Sequence, residues 1–323
     1  MHAGSVKVVF MGSPDFSVPT LEALHRSGRF DVALVVTQPD KPRGRGRKMT
    51  PTPVRHSAEE LGLPVTVRRK GKYRELYNRI AELAPDVIVV VAFGLILKKD
   101  LLGLPRYGCV NLHASLLPRY RGVAPIPAAI LAGDAVTGVT SMLMDEGVDT
   151  GDILMKRELE ILHDDSSGSV STKLAFVGAD LMVETLQGLV AGTVTGTPQD
   201  DTLATYTHKL SKADGYIDWR EDADQISRLI RAMNPWPTAY TFYRGKRLII
   251  LQAAPVDDPG PVVFPGTVIS VDPLTIRCGS GALEIIQLIV EGRGVQRERE
   301  FVSGYRIRTG ELFSCEDPQN KGR

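Results

Sequence analysis

The sequence contains short, nearly continuous apolar runs rich in valine, and segments with helical periodicity separate them. The runs cover residues 6–10, 32–37, 86–92 and 109–112. Strands that are buried on both faces show continuous apolar runs, whereas strands with one wet face alternate apolar and polar residues. Alternation of such strands with helices predicts an open, mostly parallel sheet with helices on both faces. We therefore expect an α/β domain in the first half of the chain.

The second half has a different pattern. A length of 323 residues favours two domains over one core. Helical periodicity over residues 169–191 gives way to a stretch rich in glycine, threonine and proline, which predicts a linker. One helix (224–233) and short strands at 248–253, 266–271, 275–278 and 283–288 then predict a small β-barrel. The predicted division is a catalytic domain (1–191), a linker (192–213), a β-barrel domain (214–315) and a polar tail (316–323).

Overall composition excludes several classes of protein. A formal net charge of +1 provides no general attraction to nucleic acid, so a polyanionic partner would need local basic patches. Cys109, Cys278 and Cys315 lack the paired spacing of disulfide frameworks or zinc sites, which favours a reducing cytoplasm. We find no apolar run close to the roughly 20 residues of a membrane-spanning helix. A cytoplasmic, non-membrane protein is expected.

Motifs for common cofactors are missing from the sequence. The turn after the first strand is GSPDF, which is not the G-x-G-x-x-G of dinucleotide-binding domains, and no G-x-x-x-x-G-K-[ST] occurs. No H-E-x-x-H is present, and the six histidines are dispersed. These absences disfavour a nicotinamide or ATP enzyme and predict no metal.

Three polar residues stand where a parallel sheet places its ligand site. Asn111 and His113 lie at the end of a predicted strand, and residues two apart in a strand face the same side. Asp149 follows another predicted strand, at 139–144, in a turn-rich segment. An amide that stabilises an oxyanion, an imidazole that moves protons and a carboxylate that orients the ring would suit acyl transfer. The alternative is that these residues only satisfy backbone groups at strand ends.

Longer segments carry a family resemblance. The sequence NLHASLLPRYRG, followed by GVTSMLMDEGVDTGDIL, resembles the signature of the folate-dependent formyltransferases. The likeness extends through VVFMGSPDF, TQPDKPRGRGRK, VVVAFGLIL, KLSKADGYIDW and RAMNPWP. Over nearly the whole chain it is greatest to the branch that formylates methionine on initiator tRNA.

This resemblance implies a fold, a co-substrate and residue roles. The fold would be a Rossmann-like domain followed by an OB-like barrel, and the formyl donor would be 10-formyltetrahydrofolate. Direct attack by the methionine α-amine would give a tetrahedral intermediate, with Asn111, His113 and Asp149 in the catalytic positions. Such attack needs no covalent nucleophile, so we assign Cys109 to the sheet core. The implied folate-binding residues are Phe93, Gly94, Leu95, Ile96, Leu97, Ser115, Leu116, Leu117, Pro118, Asp145, Glu146, Gly147 and Val148.

A cationic loop indicates the acceptor. Residues 41–48 contain five Lys or Arg and no acid, in a Gly-Pro frame that disfavours regular structure. In the family this loop enters the acceptor stem of initiator tRNA, and Arg45 matches its most important position. The predicted tRNA contacts are Lys41, Arg43, Arg45, Arg47 and Lys48, with Arg244, Lys246 and Arg247 as weaker candidates in the second domain. A second basic segment, 68–74 (RRKGKYR), is equally consistent with a solvated surface and with a binding role.

Two other functions remain open from the sequence. One is a formyltransferase that acts on a sugar nucleotide or another small amine, which leaves the basic loop and the barrel unexplained. The other is a non-catalytic RNA-binding protein on a folate-enzyme scaffold, which leaves an intact Asn111, His113 and Asp149 unexplained.

Overall fold

The computed structural model describes residues 5–43, 46, 48–257 and 263–314. The described residues form two compact units. The first comprises those within Met1–Pro125, Val136–Glu160 and Ser171–Thr207, and the second those within Ile126–Ala135, Ile161–Val170 and His208–Arg323.

Within the described part of the first unit, seven strands form a mostly parallel sheet. Their order is β10-β9-β7-β6-β1-β2-β5. The strands are β1 (Val6–Gly12), β2 (Phe30–Thr37), β5 (Val65–Val67), β6 (Val87–Val91), β7 (Cys109–His113), β9 (Val136–Leu143) and β10 (Ile153–Glu160). Short strand pairs are β3 (Lys41–Arg43) with β4 (Lys48–Thr50), and β8 (Arg121–Gly122) with β11 (Tyr206–Thr207). The helices of the chain up to residue 191 are α1 (Val18–Arg26), α2 (Pro53–Glu60), α3 (Tyr73–Leu83), α4 (Lys99–Leu102), α5 (Pro125–Ala132) and α6 (Ser167–Ala191).

The valine-rich runs form the central strands, which confirms the predicted fold class. β1, β2, β5, β6 and β7 are parallel, so their carboxyl ends lie at one edge of the sheet. All five residues of β6 and of β7 are buried. Two strands of this sheet were not predicted from the sequence: β5, which has only three residues, and β10. Alternating exposure along β10 matches its position at the sheet edge, antiparallel to β9.

Helix α6 corrects one expectation. It has 25 residues and is long and apolar enough to cross a membrane by length and composition, although no such segment was expected. Half of the most apolar 18-residue segment of this helix is buried within the protein. Leu181 is fully buried, and the Thr185 hydroxyl hydrogen-bonds Ser141 of β9 at 2.8 Å. A buried core helix meets the same criteria as a membrane span, so this helix gives no argument for one.

The cationic loop is more regular than expected. Lys41–Arg43 and Lys48–Thr50 pair as an antiparallel hairpin, with Pro42 opposite Met49. The expectation of an irregular segment was wrong for these flanks. Proline lacks a backbone N–H, but a two-stranded ribbon has no further strand that would need this donor. Gly44, Arg45 and Arg47 lie outside the described residues.

An antiparallel sheet forms the core of the second unit. Its order is β12-β13-β16-β15-β14, and β17 pairs with β16. Residues 310–314 hydrogen-bond both Val268 at one end of the sheet and Phe242 at the other, which closes the sheet as in the predicted barrel. The elements are α7 (Ala223–Ala232), β12 (Ala239–Tyr243), β13 (Lys246–Val256), β14 (Val268–Val271), β15 (Leu274–Arg277), β16 (Ala282–Val290), β17 (Val295–Arg297) and α8 (Glu298–Tyr305).

Candidate active site

The structure brings Asn111, His113 and Asp149 together at the carboxyl edge of the first sheet. Asn111 and His113 are two apart on β7 and share one face, and both are buried. Asp149 lies in the turn between β9 and β10 in the left-handed conformation, with φ of 53°. The backbone of Gly151 packs directly against that of Leu143 in this turn. A side chain at position 151 would place its β-carbon 1.7 Å from the Leu143 carbonyl oxygen, so the turn requires glycine there.

The Asp149 carboxylate connects the cluster. One oxygen lies 3.5 Å from Asn111 Nδ2, and the other lies 3.5 Å from His113 Nδ1. The second oxygen also accepts a hydrogen bond from the Gly122 backbone N–H at 2.9 Å. Three nitrogen groups therefore face one carboxylate, whose side chain is only 17% exposed.

His113 is held on its other side by the backbone of Tyr120. His113 Nε2 lies 2.9 Å from the Tyr120 carbonyl oxygen, and a carbonyl only accepts, so Nε2 carries the proton of this hydrogen bond. Tyr120 has a left-handed φ of 61°, and its N–H donates to Thr205 Oγ1 at 2.8 Å. The ring is therefore held at Nε2, and its Nδ1 faces the Asp149 carboxylate at 3.5 Å.

Sequence reasoning missed the residues that support the Asp149 turn. Gln199 donates from Nε2 to the carbonyls of Asp149 and Gly151, at 2.9 and 2.7 Å. Its Oε1 accepts from the buried Arg121 guanidinium, which also binds Asp201 at 2.7 Å. Arg121 belongs to the RYRG segment, but its partners lie in the stretch predicted as a linker. No local pattern could have indicated pairs that are about 80 residues apart.

Replacing Gln199 with leucine should lower kcat about tenfold, because the Asp149 turn would lose both carbonyl contacts and shift against His113. Steady-state kinetics measures the change. Gln252→Leu, at an exposed position on β13, is the matched control and should not change kcat. Unchanged turnover in Gln199→Leu would show that the turn holds its position without this side chain.

An apolar cavity lies next to the cluster. Its volume is about 100 Å³, and Asp149 forms part of its wall. Ile96 and Val148 line this cavity and expose 77% and 51% of their surface, so its rim is apolar. The remaining lining residues are Leu95, Leu97, Met142, Met144, Asp145 and Gly147.

Some residues of the predicted folate site lie outside this lining. The Phe93 side chain is buried in the core, and Gly94 follows it with a left-handed φ of 72°. Glu146 forms an exposed ion pair with Lys99 at 2.9 Å. The segment Ser115, Leu116, Leu117 and Pro118 packs near β9: the Thr140 hydroxyl donates to the Ser115 carbonyl, and the Leu117 N–H donates to that hydroxyl.

The predicted tRNA contacts lie in two places, the cationic hairpin and the barrel. Lys41 is exposed on the hairpin, while Arg45 and Arg47 lie outside the described residues, and only the backbone of Arg43 and Lys48 is described. In the barrel, Arg244 forms an ion pair with Glu311 at 2.6 Å. Lys246 and Arg247 lie over the rings of Tyr305 and Tyr240, at 5.4 and 3.9 Å.

Cys109 lies on β7 two residues before Asn111 and belongs to the buried core of the sheet, as predicted. Burial in β7 raises the pKa of the thiol to about 12, so it stays protonated. Cys109→Ala should leave kcat unchanged and lower the free energy of unfolding by about 1 kcal/mol, through lost packing alone. Kinetics and urea titration measure the two effects, and a tenfold fall in kcat with an unchanged fold would contradict this assignment.

Two family models match most of the chain. Residues 6–186 match the model of the formyl transferase domain, and residues 209–306 match the model of the formyl transferase C-terminal domain. The fold and the two matched domains place the chain in the class of formyl transferases.

Curated relatives show to which branch of the formyl transferases the chain belongs. The chain is 46% identical over 307 residues to the methionyl-tRNA formyltransferase of Geobacter metallireducens, covering 94% of this chain and 97% of that protein. It is 45% identical to the methionyl-tRNA formyltransferase of Agathobacter rectalis, covering 96% and 100%. The chain belongs to the methionyl-tRNA formyltransferase family and is an enzyme of formyl-group transfer.

Solved structures share the fold at low identity. An N-formyltransferase from Helicobacter canadensis, in complex with folinic acid and dTDP-3-aminofucose, has a TM-score of 0.66 at 19% identity, covering 88% of this chain and 100% of that one. HypX from Aquifex aeolicus, in complex with tetrahydrofolic acid, has a TM-score of 0.62 at 16% identity, covering 96% and 51%.

Proposed function

We propose that the chain transfers the formyl group of 10-formyltetrahydrofolate to the α-amine of methionine on initiator tRNA, in the cytoplasm, as a step of translation initiation. The observation that carries this proposal is the buried cluster of Asn111, His113 and Asp149 beside an apolar cavity. The names of the bacterial relatives supply the acceptor.

The apolar cavity is the proposed site of the folate ring system. Leu95, Ile96, Leu97 and Met142 provide an apolar surface, and Asp149 provides a polar edge. A flat ring with hydrogen-bonding edges needs this combination of walls. A folate bound here would bring its formyl group to the Asn111 and His113 side of the carboxylate.

In the proposed reaction the amine nitrogen forms a bond to the formyl carbon, and the bond from that carbon to the folate nitrogen breaks. Asn111 donates to the oxyanion of the tetrahedral intermediate through its amide. His113 assists once its Nε2 exchanges the Tyr120 carbonyl for the substrate oxygen, since ground-state contacts rearrange when substrates bind. Asp149 accepts the proton from the amine, directly or through water, and the proton passes to the leaving nitrogen.

The cationic hairpin and the barrel are the proposed contacts to tRNA. Lys41 and Lys246 are exposed, and phosphate contacts by such side chains account for most of the affinity for RNA. The proposal also includes tRNA contacts by Arg43, Arg45, Arg47, Lys48, Arg244 and Arg247. It further includes the domain boundaries at residues 191, 213 and 315. Gln199 and Arg121 contact each other, so residues 192–213 contribute to the site and are more than a connection.

A comparison of acceptors tests this function. The protein is supplied with 10-formyltetrahydrofolate and either methionyl-initiator tRNA or small amines, including an amino-sugar nucleotide. We expect formyl transfer to the tRNA alone. Transfer only to a small amine would show that the acceptor is not tRNA. Tight binding of tRNA without release of tetrahydrofolate would favour a non-catalytic RNA-binding protein.

A further inference from the structure

A second cavity in the first unit lies between helix α3 and the edge strand β5. Its volume is about 280 Å³. Lys72, which caps the start of the helix, lines it together with helix positions 75, 76 and 79, and the spacing of i, i+3, i+4 and i+7 puts these residues on one side. The strand contributes Val65, Thr66 and Val67, and the residues that follow it are Arg68 and Arg69.

The charge of this cavity is strongly positive. Four cationic side chains line it, against a single acid, Glu75, which lies 3.5 Å from Lys72. Arg79 donates to the hydroxyl of Thr66, which carries no charge. The part of the chain that the structure describes provides no acidic partner for the side chains of Arg68 and Arg69. Three positive charges are therefore not neutralised in one concave surface.

The cavity lies along the same sheet edge as the hairpin and the catalytic cluster. The Arg68 N–H donates to the carbonyl of Thr37, the last residue of β2, at 2.8 Å. The Thr37 hydroxyl bonds that of Thr52, just beyond the hairpin, at 2.6 Å. The basic cavity is therefore directly next to the base of the hairpin.

The distance to the catalytic cluster fits an extended polyanion. β5 is four strands from β7 in the order β7-β6-β1-β2-β5. Neighbouring strands are about 4.8 Å apart, so the separation along the edge is about 19 Å. An RNA strand whose aminoacylated end lies at β7 and which passes the hairpin covers this distance within a few nucleotides.

We propose that Arg68, Arg69, Lys72 and Arg79 form a phosphate-binding subsite for the RNA backbone of the acceptor substrate. The subsite extends the proposed RNA contacts of the hairpin past β2 to the last strand of the sheet, β5. Phosphate contacts orient the substrate and do not read its sequence. The inference rests on the proposed tRNA substrate and adds the position of a second backbone contact.

The double variant Arg68→Ala, Arg69→Ala tests the subsite. We expect KM for methionyl-initiator tRNA to rise about tenfold with kcat unchanged, and the slope of log KM against log salt to become shallower by about 2. Arg68→Lys with Arg69→Lys retains the charge and should keep most of the slope. Arg26→Ala with Arg29→Ala removes two exposed arginines where α1 ends and β2 begins, at the opposite edge, and should change neither quantity.

Two further measurements separate this inference from the proposed function. Formylation of methionyl-adenosine, the terminal aminoacylated nucleoside alone, which carries no phosphate that could reach β5, should be equal in the wild type and the double alanine variant. Binding of uncharged initiator tRNA is measured in parallel and should weaken in the same variant. An unchanged KM, salt slope and tRNA affinity would overturn the subsite, whereas absence of formyl transfer by the wild type would overturn the function.

Discussion

His113→Ala should lower kcat for formyl transfer by about 10²- to 10³-fold, the typical effect of removing one oxyanion donor. The ring is buried and lies between the Asp149 carboxylate and the Tyr120 carbonyl, so no other side chain of the described cluster replaces it. KM for folate should change little, because the apolar cavity walls are separate from the ring. Quench-flow with saturating substrates measures the change.

The matched control for this variant is His56→Ala. His56 is an exposed histidine on α2 that pairs with Glu60, and its loss should leave kcat unchanged. Circular dichroism and thermal unfolding must show that both variants are folded. Near-normal turnover of a folded His113→Ala enzyme would remove His113 from the chemistry.

Asp149→Asn should lower kcat by at least about 10²-fold, although the two side chains have the same shape. The carboxylate faces three nitrogens, those of Asn111, His113 and Gly122. An asparagine offers one oxygen and one amide nitrogen, so that nitrogen would face either the Asn111 amide or the Gly122 N–H, which are both donors. It also loses the base that receives the proton of the amine. Single-turnover rates across pH distinguish this loss from weaker binding.

Asp31→Asn, an exposed position at the start of β2, provides the isosteric control and should retain full activity. If Asp149→Asn retained the wild-type rate with the wild-type pH dependence, the carboxylate would have no part in proton transfer. The turn would then serve only to shape the cavity.

The central sheet could be predicted because its strands are buried on both faces and leave an unambiguous apolar signal. β6 and β7 belong to this group. β5 escaped prediction because three residues at an edge give too short a pattern for any periodicity. The cationic loop at residues 41–48 was predicted as irregular because its glycines and its proline favour a loop locally, whereas the pairing of Lys41–Arg43 with Lys48–Thr50 depends on cross-strand contacts.

The candidate site was predictable where local patterns define it. Asn111 and His113 share a strand and a face, and Asp149 follows the strand whose end lies at the same sheet edge. The support of the site was not predictable. The contact of Gln199 with the Asp149 turn and that of Arg121 with Asp201 join distant segments, and only the folded chain brings them together.

A single-turnover experiment tests the central claim most directly. The purified protein is mixed with a stoichiometric amount of 10-formyltetrahydrofolate, labelled in the formyl group, and with excess methionyl-initiator tRNA. We predict one labelled formylmethionine on tRNA for each tetrahydrofolate released, and a much slower approach to the same end point with His113→Ala. The account would be contradicted if the label did not appear on the tRNA, or if His113→Ala formed the labelled tRNA as fast as the wild type.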